Sequence, residues 1–526
     1  MQCTKVTSTI QNRIQSKNTR TLLFCFLTVF VILTICTKSS FLYPFNDWVD
    51  SNCFFTVGKS MLHGKVLYRD IYEQKGPWLY FLHAGAYLIS HKTFFGVYLL
   101  ELFAGTVFLF FAAKTLSLYK VRGVYAVLPI LGAAVYASRS FCHGDSVEEL
   151  VLPIFAVCLY LSEKSFCLNK TLSVQQWFAV GTLAGLVLWM KFNLVGFFVG
   201  WALVPLYKTL RRNGIAGAFK AAGAVLLGVL LPTLPVLLYF GVTKSLGDLW
   251  NAYFYNNLFL YADASGNTAD VSAFLQTLQN RIRWHVTRNR FYAPFGILGV
   301  LWYTLMRKGH RAHLILTAVF TMLCVCSGAV CLSYYTLVFA VFAVFFCLPV
   351  CMGLSHLPEE PKPKILTAAL VTASMVLSGT FAYCTSTNTY LIAYQKEELP
   401  QYKFEKIINS VEDPTLLNYG FLDGGFYTVA DIVPESKYFC RLNIQLPEMY
   451  KAQAAEILSQ TPDFVVTRSF PLTFGSYTCV ATATQYFEGV DFTYYLYAAD
   501  RVLPELSENG VPYTVDRIPI PEAVKG

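Results

Sequence analysis

Within one short segment the chain gathers Asp47, Asp50, Arg69, Asp70, Glu73 and Lys75, carboxylates and cations side by side. A carboxylate can take a proton from an attacking hydroxyl or amine, and a lysine or arginine can hold a phosphate. The segment leaves one apolar run and enters another, so these charges stand at a membrane surface, where charge is costly and more often kept for chemistry than for packing. Asp50 opens a helical stretch in which Phe54, Phe55, Gly58, Met61 and Leu62 recur at three and four residues, giving an apolar face that can lie on the membrane. Asp50 sits at or near the N-cap, where the helix terminus stabilises an anion, and Asp47 competes for that place. A helix cap is the plain structural reading of either. Gly64 then closes a turn, and Tyr68-Arg69-Asp70 leads to Glu73, Lys75 and the break at Gly76-Pro77. Lys75 can snorkel along the surface or meet a phosphate at headgroup level.

A second acidic turn runs from Arg139 through His143, Asp145, Glu148 and Glu149 to Pro153. Three carboxylates therefore stand at the mouth of an apolar run. Asp145 and Glu148 have the D-x-x-E spacing of a capping box. Glu149 is left over, and its functional reading is a polar face turned towards a cavity. One histidine among carboxylates at no fixed ligand spacing is a weak metal signature. A transient divalent cation at Asp50 and Glu148 is the most it supports. Glu101 lies mid-run, where pairing with a basic or amide group on a neighbouring helix is the default, and Lys191 and Asn193 end another run. The chain of buried acids that an ion pump needs is missing.

These groups must be positioned by membrane helices. The 526 residues are 55% hydrophobic and only 14% charged, with a mean hydropathy of +0.46. That excludes an ordinary soluble domain. The net charge of +9 implies no nucleic-acid partner, because much of the basic excess sits in short loops between apolar runs. Spans are expected near 21–39, 94–114, 123–140, 149–163, 176–192, 194–209, 217–241, 291–306, 312–330, 333–353 and 365–385, each about the length of a bilayer crossing. The first run follows Arg13, Lys17 and Arg20 and lacks an A-x-A-like cleavage site, so it reads as a retained anchor. The basic loops then all face the cytoplasm, provided Trp78–Ser90 lies in the interface and does not cross. This topology puts residues 1–20 inside and the loops 40–93, 140–148 and 242–290 outside. The last loop carries Asp248, Trp250, Tyr253, Asn256, Asn257, Trp284, His285 and Arg290, whose aromatic residues suit an interfacial helix.

Residues 386–526 are polar and mix helical patterns (401–411, 448–460) with strand-like runs (415–419, 463–467). They read as a small extracytoplasmic α/β domain. Gly424 and Gly425 resemble a turn; no P-loop or dinucleotide fingerprint occurs. Of the 15 cysteines, seven fall inside apolar runs, where cysteine acts as a small hydrophobe. Cys440 and Cys479 are the plausible disulfide partners, with free thiols the alternative. The fold class expected is mainly α, a polytopic bundle of about eleven spans with a small α/β C-terminal domain.

The order Asp50…Gly58…Met61-Leu62…Gly64…Tyr68-Arg69-Asp70…Lys75-Gly76-Pro77-Trp78 resembles the first outer loop of the GT-C superfamily of integral-membrane glycosyltransferases. More narrowly it resembles the protein O-mannosyltransferase and aminoarabinose transferase-like branch, in its bacterial members. Glu148-Glu149 with Pro153 is similar to a second element of that branch. So are Gly247-Asp248-Leu249-Trp250 with Tyr253 and Asn256-Asn257, and Ser333-Tyr334-Tyr335 at the start of a late span, where relatives often carry His-Tyr-Tyr. The resemblance covers roughly residues 20–385 and implies transfer of a sugar, with inversion, from a polyprenyl-phosphate donor to a glycan, lipid or protein acceptor of the cell envelope. It implies a multi-pass protein of the plasma membrane, its module at 21–385 and an accessory domain at 386–526. On the matching positions Asp50 is the general base. Lys75, with Arg69 or Arg139, binds donor phosphate, and Asp145, Glu148 and Glu149 orient the acceptor or a cation. Asp47, Asp70, Glu73 and Tyr334 are secondary candidates. The lipid-linked sugar is a substrate; no firm cofactor follows, a divalent metal remaining open. A lipid or solute transporter is the alternative, opposed by the missing inverted repeat and the large outer loop. A catalytically inactive glycan-binding relative is another.

Overall fold

The structure, a computed structural model, describes residues 2–260, 271–288, 292–307, 309–327, 331–356, 363–444 and 446–510. Arg290 lies outside the described residues. The first eight helices are α1 (Gln2–Cys36), α2 (Val49–Leu62), α3 (Pro77–Ile89), α4 (Phe95–Ser117), α5 (Val124–Tyr136), α6 (Val147–Cys167), α7 (Val174–Leu188) and α8 (Gly196–Val242). Six described helices are long and apolar enough to cross a membrane: Gln15–Cys36, Phe95–Ser117, Val147–Cys167, Phe192–Val242, Ser333–Ser355 and Ile365–Thr385. Gly214 (φ 67°, ψ −172°) interrupts α8, so that helix covers the two runs expected at 194–209 and 217–241. Shorter apolar helices at Val124–Tyr136, Val174–Leu188, Ala293–Met306 and Ala312–Cys326 fall on the remaining expected runs. The protein is a helical membrane protein with a small C-terminal sheet.

The chain divides into two compact units. One contains residues 1–42, 98–235 and 268–389; the other contains 43–97, 236–267 and 390–526. The long first loop thus belongs to the same unit as the C-terminal part, a grouping that a linear division at residue 386 does not express.

Inside the first unit, polar side chains of the helices turn inwards to one another. Trp201 Nε1 donates to Cys158 O at 3.0 Å. Glu163 accepts from Tyr119 at 2.7 Å and from Tyr303 at 2.6 Å. In an apolar setting such groups must be satisfied within the protein.

Within the second unit, α2 packs against α3. A Cβ placed on Gly58 would come within 2.6 Å of Ala84 N and 2.8 Å of His83 C, so the glycine permits backbone contact. Phe54 and Phe55 are fully buried. The apolar face of α2 expected on the membrane therefore packs within the protein instead, with only Met61 and Leu62 towards the rim. The sheet has strands β1 (Leu416–Asn418), β2 (Phe464–Arg468), β3 (Tyr477–Phe487) and β4 (Val490–Ala499) in the order β1-β2-β4-β3. β1 and β2 run parallel and the other pairs antiparallel. β1 and β2 fall on the two expected runs, and helices at Pro400–Ile408 and Pro447–Leu458 on the expected helical patterns. The β3–β4 hairpin was not anticipated. Its two-residue turn is Glu488-Gly489, both at positive φ, the backbone a tight hairpin requires. Cys479 is buried in the core of this sheet with Leu417, Ile457, Val465 and Tyr497. Its pairing with Cys440 is not what the structure shows, for Cys440 Sγ lies 3.8 Å from Cys53 Sγ.

Candidate active site

In the second unit, α2 begins after Trp48, which holds the N-cap position, and Asp50 lies in its first turn. Asp50 is therefore not the cap, though a first-turn carboxylate still meets the positive end of the helix. It is half-buried. Asp47 is buried and accepts from Gln485 Nε2 at 2.8 Å, which gives it a structural partner in place of a capping role.

After the helix the chain makes a compact turn. Tyr68 takes φ +66°, which a tyrosine adopts only at a cost of about 1–3 kcal/mol. Its ring stacks on Phe240 at 5.5 Å, and its hydroxyl donates to Lys75 O at 2.5 Å. Arg69 pairs with its neighbour Asp70 at 2.9 Å and donates to Thr243 O at 3.1 Å. The hydrogen bond from Arg69 holds the Asp70 carboxyl below its ordinary range. Glu73 is buried and accepts from Tyr80 Oη and from Lys75 N, the latter at 2.8 Å. Lys75 Nζ lies 3.8 Å from Glu73 Oε1 and 5.7 Å from the centre of the Phe54 ring. Asn256 and Asn257 lie on a π-helical stretch, Trp250–Leu260, and donate to Tyr72 Oη and Gln74 O, each at 2.8 Å. The asparagines thus brace the strip that carries Glu73 and Lys75. The structure brings Arg69 to Asp70 and Lys75 to Glu73.

The acidic turn belongs to the first unit. Cys142, Gly144 and Asp145 all take positive φ. At Gly144 a Cβ would meet Thr37 Oγ1 at 2.2 Å and Glu101 Oε1 at 2.3 Å. Glu101 accepts from Thr37 Oγ1 at 2.8 Å and from Asp145 N at 2.8 Å. Asp145 N also donates to Glu149 Oε2 at 2.9 Å. The helix cap is Ser146, whose hydroxyl accepts from Glu149 N at 3.1 Å. Asp145 with Glu148 is therefore not a capping box; the cap is one residue further on. Glu149 is buried, with Oε2 held by the turn and Oε1 without a hydrogen-bond partner among the described residues.

Glu148 points elsewhere. Its Oε1 is 2.5 Å from Lys191 Nζ, and that ammonium sits 3.6 Å from the centre of the Tyr335 ring and 5.7 Å from that of Tyr334. Glu148 Oε2 is buried with no hydrogen-bond partner among the described residues. Glu148 Oε1 is thus held by an ammonium, and Lys191 supplies a cation at this position. Arg139 is exposed. Lys38, overlooked in the sequence, is buried beside Thr37 and donates its N–H to His143 O at 3.0 Å. Lys191 was visible as a lysine ending an apolar run; its partner was not.

No family model matches the sequence, and no curated protein matches it. A solved structure does. The crystal structure of ArnT from Cupriavidus metallidurans bound to undecaprenyl phosphate superposes with a TM-score of 0.55 at 11% identity, covering 90% of this chain and 97% of that one. The fold is GT-C. At this identity the likeness is one of architecture, and it extends over both compact units.

Proposed function

We propose that the protein is a GT-C glycosyltransferase that moves a sugar from a polyprenyl-phosphate donor to an acceptor at the extracytoplasmic membrane surface. The observation that carries this reading is the fold shared with ArnT along nearly the whole of both chains. It is supported by a first loop that combines a helix-terminal carboxylate, Asp50, with a half-sheltered lysine, Lys75.

The reaction needs few groups. An acceptor oxygen or nitrogen attacks the anomeric carbon, the bond to the carrier phosphate breaks, and the phosphate leaves with the electron pair. Asp50 takes the acceptor proton, and cations stabilise the charge growing on the phosphate. Lys75 is the first of those cations. Arg69, which also pairs with Asp70, or Arg139 is the second. A single displacement with one base inverts the anomeric centre. Asp70, with its carboxyl held low by Arg69, is a poor base by comparison. Glu148, presented by Lys191 and Tyr335, orients the acceptor. Asp145 and Glu149 hold the turn that presents it. No step needs a metal.

The test is sugar transfer from synthetic polyprenyl-phosphate sugars by the protein in nanodiscs. Replacing Asp50 by Asn is expected to lower the rate by about 10²–10⁴-fold, the usual worth of a general base. Full activity in a folded variant removes Asp50 from the role, and flux of lipid or sugar without transfer favours a transporter.

A further inference from the structure

Cys53 and Cys440 lie 387 positions apart in sequence, yet their sulfurs are 3.8 Å from each other, and both are buried within the second unit. The approach is held from both sides. Along one stripe of α2, Thr56 Oγ1 donates to Asp423 Oδ2 at 2.6 Å and Lys59 Nζ to Tyr427 O at 2.8 Å. Thr428 Oγ1 donates to Asn52 Oδ1 at 3.4 Å. Residues 52, 53, 56 and 59 recur at the helix period, so Cys53 belongs to the stripe that docks on residues 423–440. An S–S bond is roughly 2 Å long, so the two sulfurs must close the remaining gap by side-chain rotation when the bond forms.

We propose that Cys53 and Cys440 form a disulfide that staples the first-loop helix to the C-terminal part of the chain. Two S–H bonds break and one S–S bond forms. The two electrons and two protons pass by thiol–disulfide exchange to the disulfide of an extracytoplasmic oxidoreductase, which becomes a dithiol. Burial pushes both thiols up, Cys53 furthest, so exchange belongs to the stage before α2 docks, and the finished bond is shielded from reductant. The choice of oxidant rests on the extracytoplasmic placement proposed above. Asp50 lies one helical turn from Cys53, so the staple also fixes the turn that carries it.

The experiment traps thiols in native membranes by denaturation in N-ethylmaleimide without reductant, then maps the peptides. The expected result is one linked pair carrying Cys53 and Cys440, lighter than its two parts by two hydrogen atoms and separated by reduction. In thermal scans, reductant lowers the unfolding midpoint of the wild type and leaves Cys53→Ser unmoved. Maleimide on both cysteines, or a Cys440–Cys479 link, overturns the proposal. In parallel, Val490→Cys, at an exposed position of the same unit, is labelled on intact cells with an impermeant maleimide. Free Cys53 and Cys440 with labelled position 490 overturn the disulfide alone; free thiols with position 490 silent overturn the sidedness as well.

Discussion

Gly144 answers to two constraints at once: its φ of +91° and the absence of room for a Cβ between Thr37 and Glu101. Gly64 has a similar φ, +87°, and open space around it. Replacing Gly64 by Ala should therefore cost only the backbone term, about 1 kcal/mol. Gly144→Ala should cost about 1–3 kcal/mol more, because it must also displace the hydroxyl and carboxylate that pin the acidic turn. Unfolding midpoints in detergent compare the two, and equal losses would sink the account of the turn. The Glu148–Lys191 pair makes a second residue-scale case. Either single change, Glu148→Gln or Lys191→Met, removes one half of a buried ion pair and should cost about 3–5 kcal/mol. The double variant should recover a good part of that. A double-mutant cycle on unfolding midpoints reads the coupling, and additive losses would show the contact to be idle.

Helices show best what the sequence could and could not disclose. Apolar length is written in composition, so the membrane helices fall where hydropathy puts them. The acidic turn was legible as a cluster, but its roles were not. Whether Asp145 or Ser146 caps α6 depends on the backbone reversal at residues 142–145, and a D-x-x-E spacing does not encode that. The apolar face of α2 was read correctly as a face. Its partner was not, because bilayer and protein offer the same apolar surface to a helix. The partner is α3, and Gly58 is the residue that lets it approach. Gly58→Ala should push the two backbones apart and cost roughly 1–3 kcal/mol. Gly85 on α3 is exposed with nothing near its missing Cβ, so Gly85→Ala should be neutral or stabilising by up to about 1 kcal/mol. Opposite signs in thermal unfolding are the expected outcome, and a like effect at both positions contradicts the packing.

At the scale of the whole molecule, the first loop and the C-terminal part share one compact unit, and buried charge lies among their contacts. Lys59 is buried, donates to Tyr427 O and lies 3.6 Å from Asp431; Asp423 is buried and accepts from Thr56. Burial raises the Asp423 carboxyl from 3.8 to about 6 and lowers the Lys59 ammonium from 10.5 to about 8. The signs differ in their consequence. The folded state binds the Asp423 proton more tightly than the unfolded chain does, so its contribution is complete below about pH 4 and is lost as pH rises through 6. Lys59 releases its proton more readily when folded, so stability rises with pH between about 8 and 10.5. Both groups are ionised from pH 6 to 8, where this network contributes least. Asp423→Asn keeps an acceptor for Thr56 and removes the acid limb. Relative to that variant, the wild type should lose up to about 3 kcal/mol between pH 4 and 7, two pKa units at about 1.4 kcal/mol each. Lys59→Met should flatten the alkaline limb and leave the acid one. Unfolding midpoints measured from pH 4 to 10 separate the limbs, and parallel profiles for wild type and Asp423→Asn would mean that water reaches Asp423 and the two segments are not closed on each other.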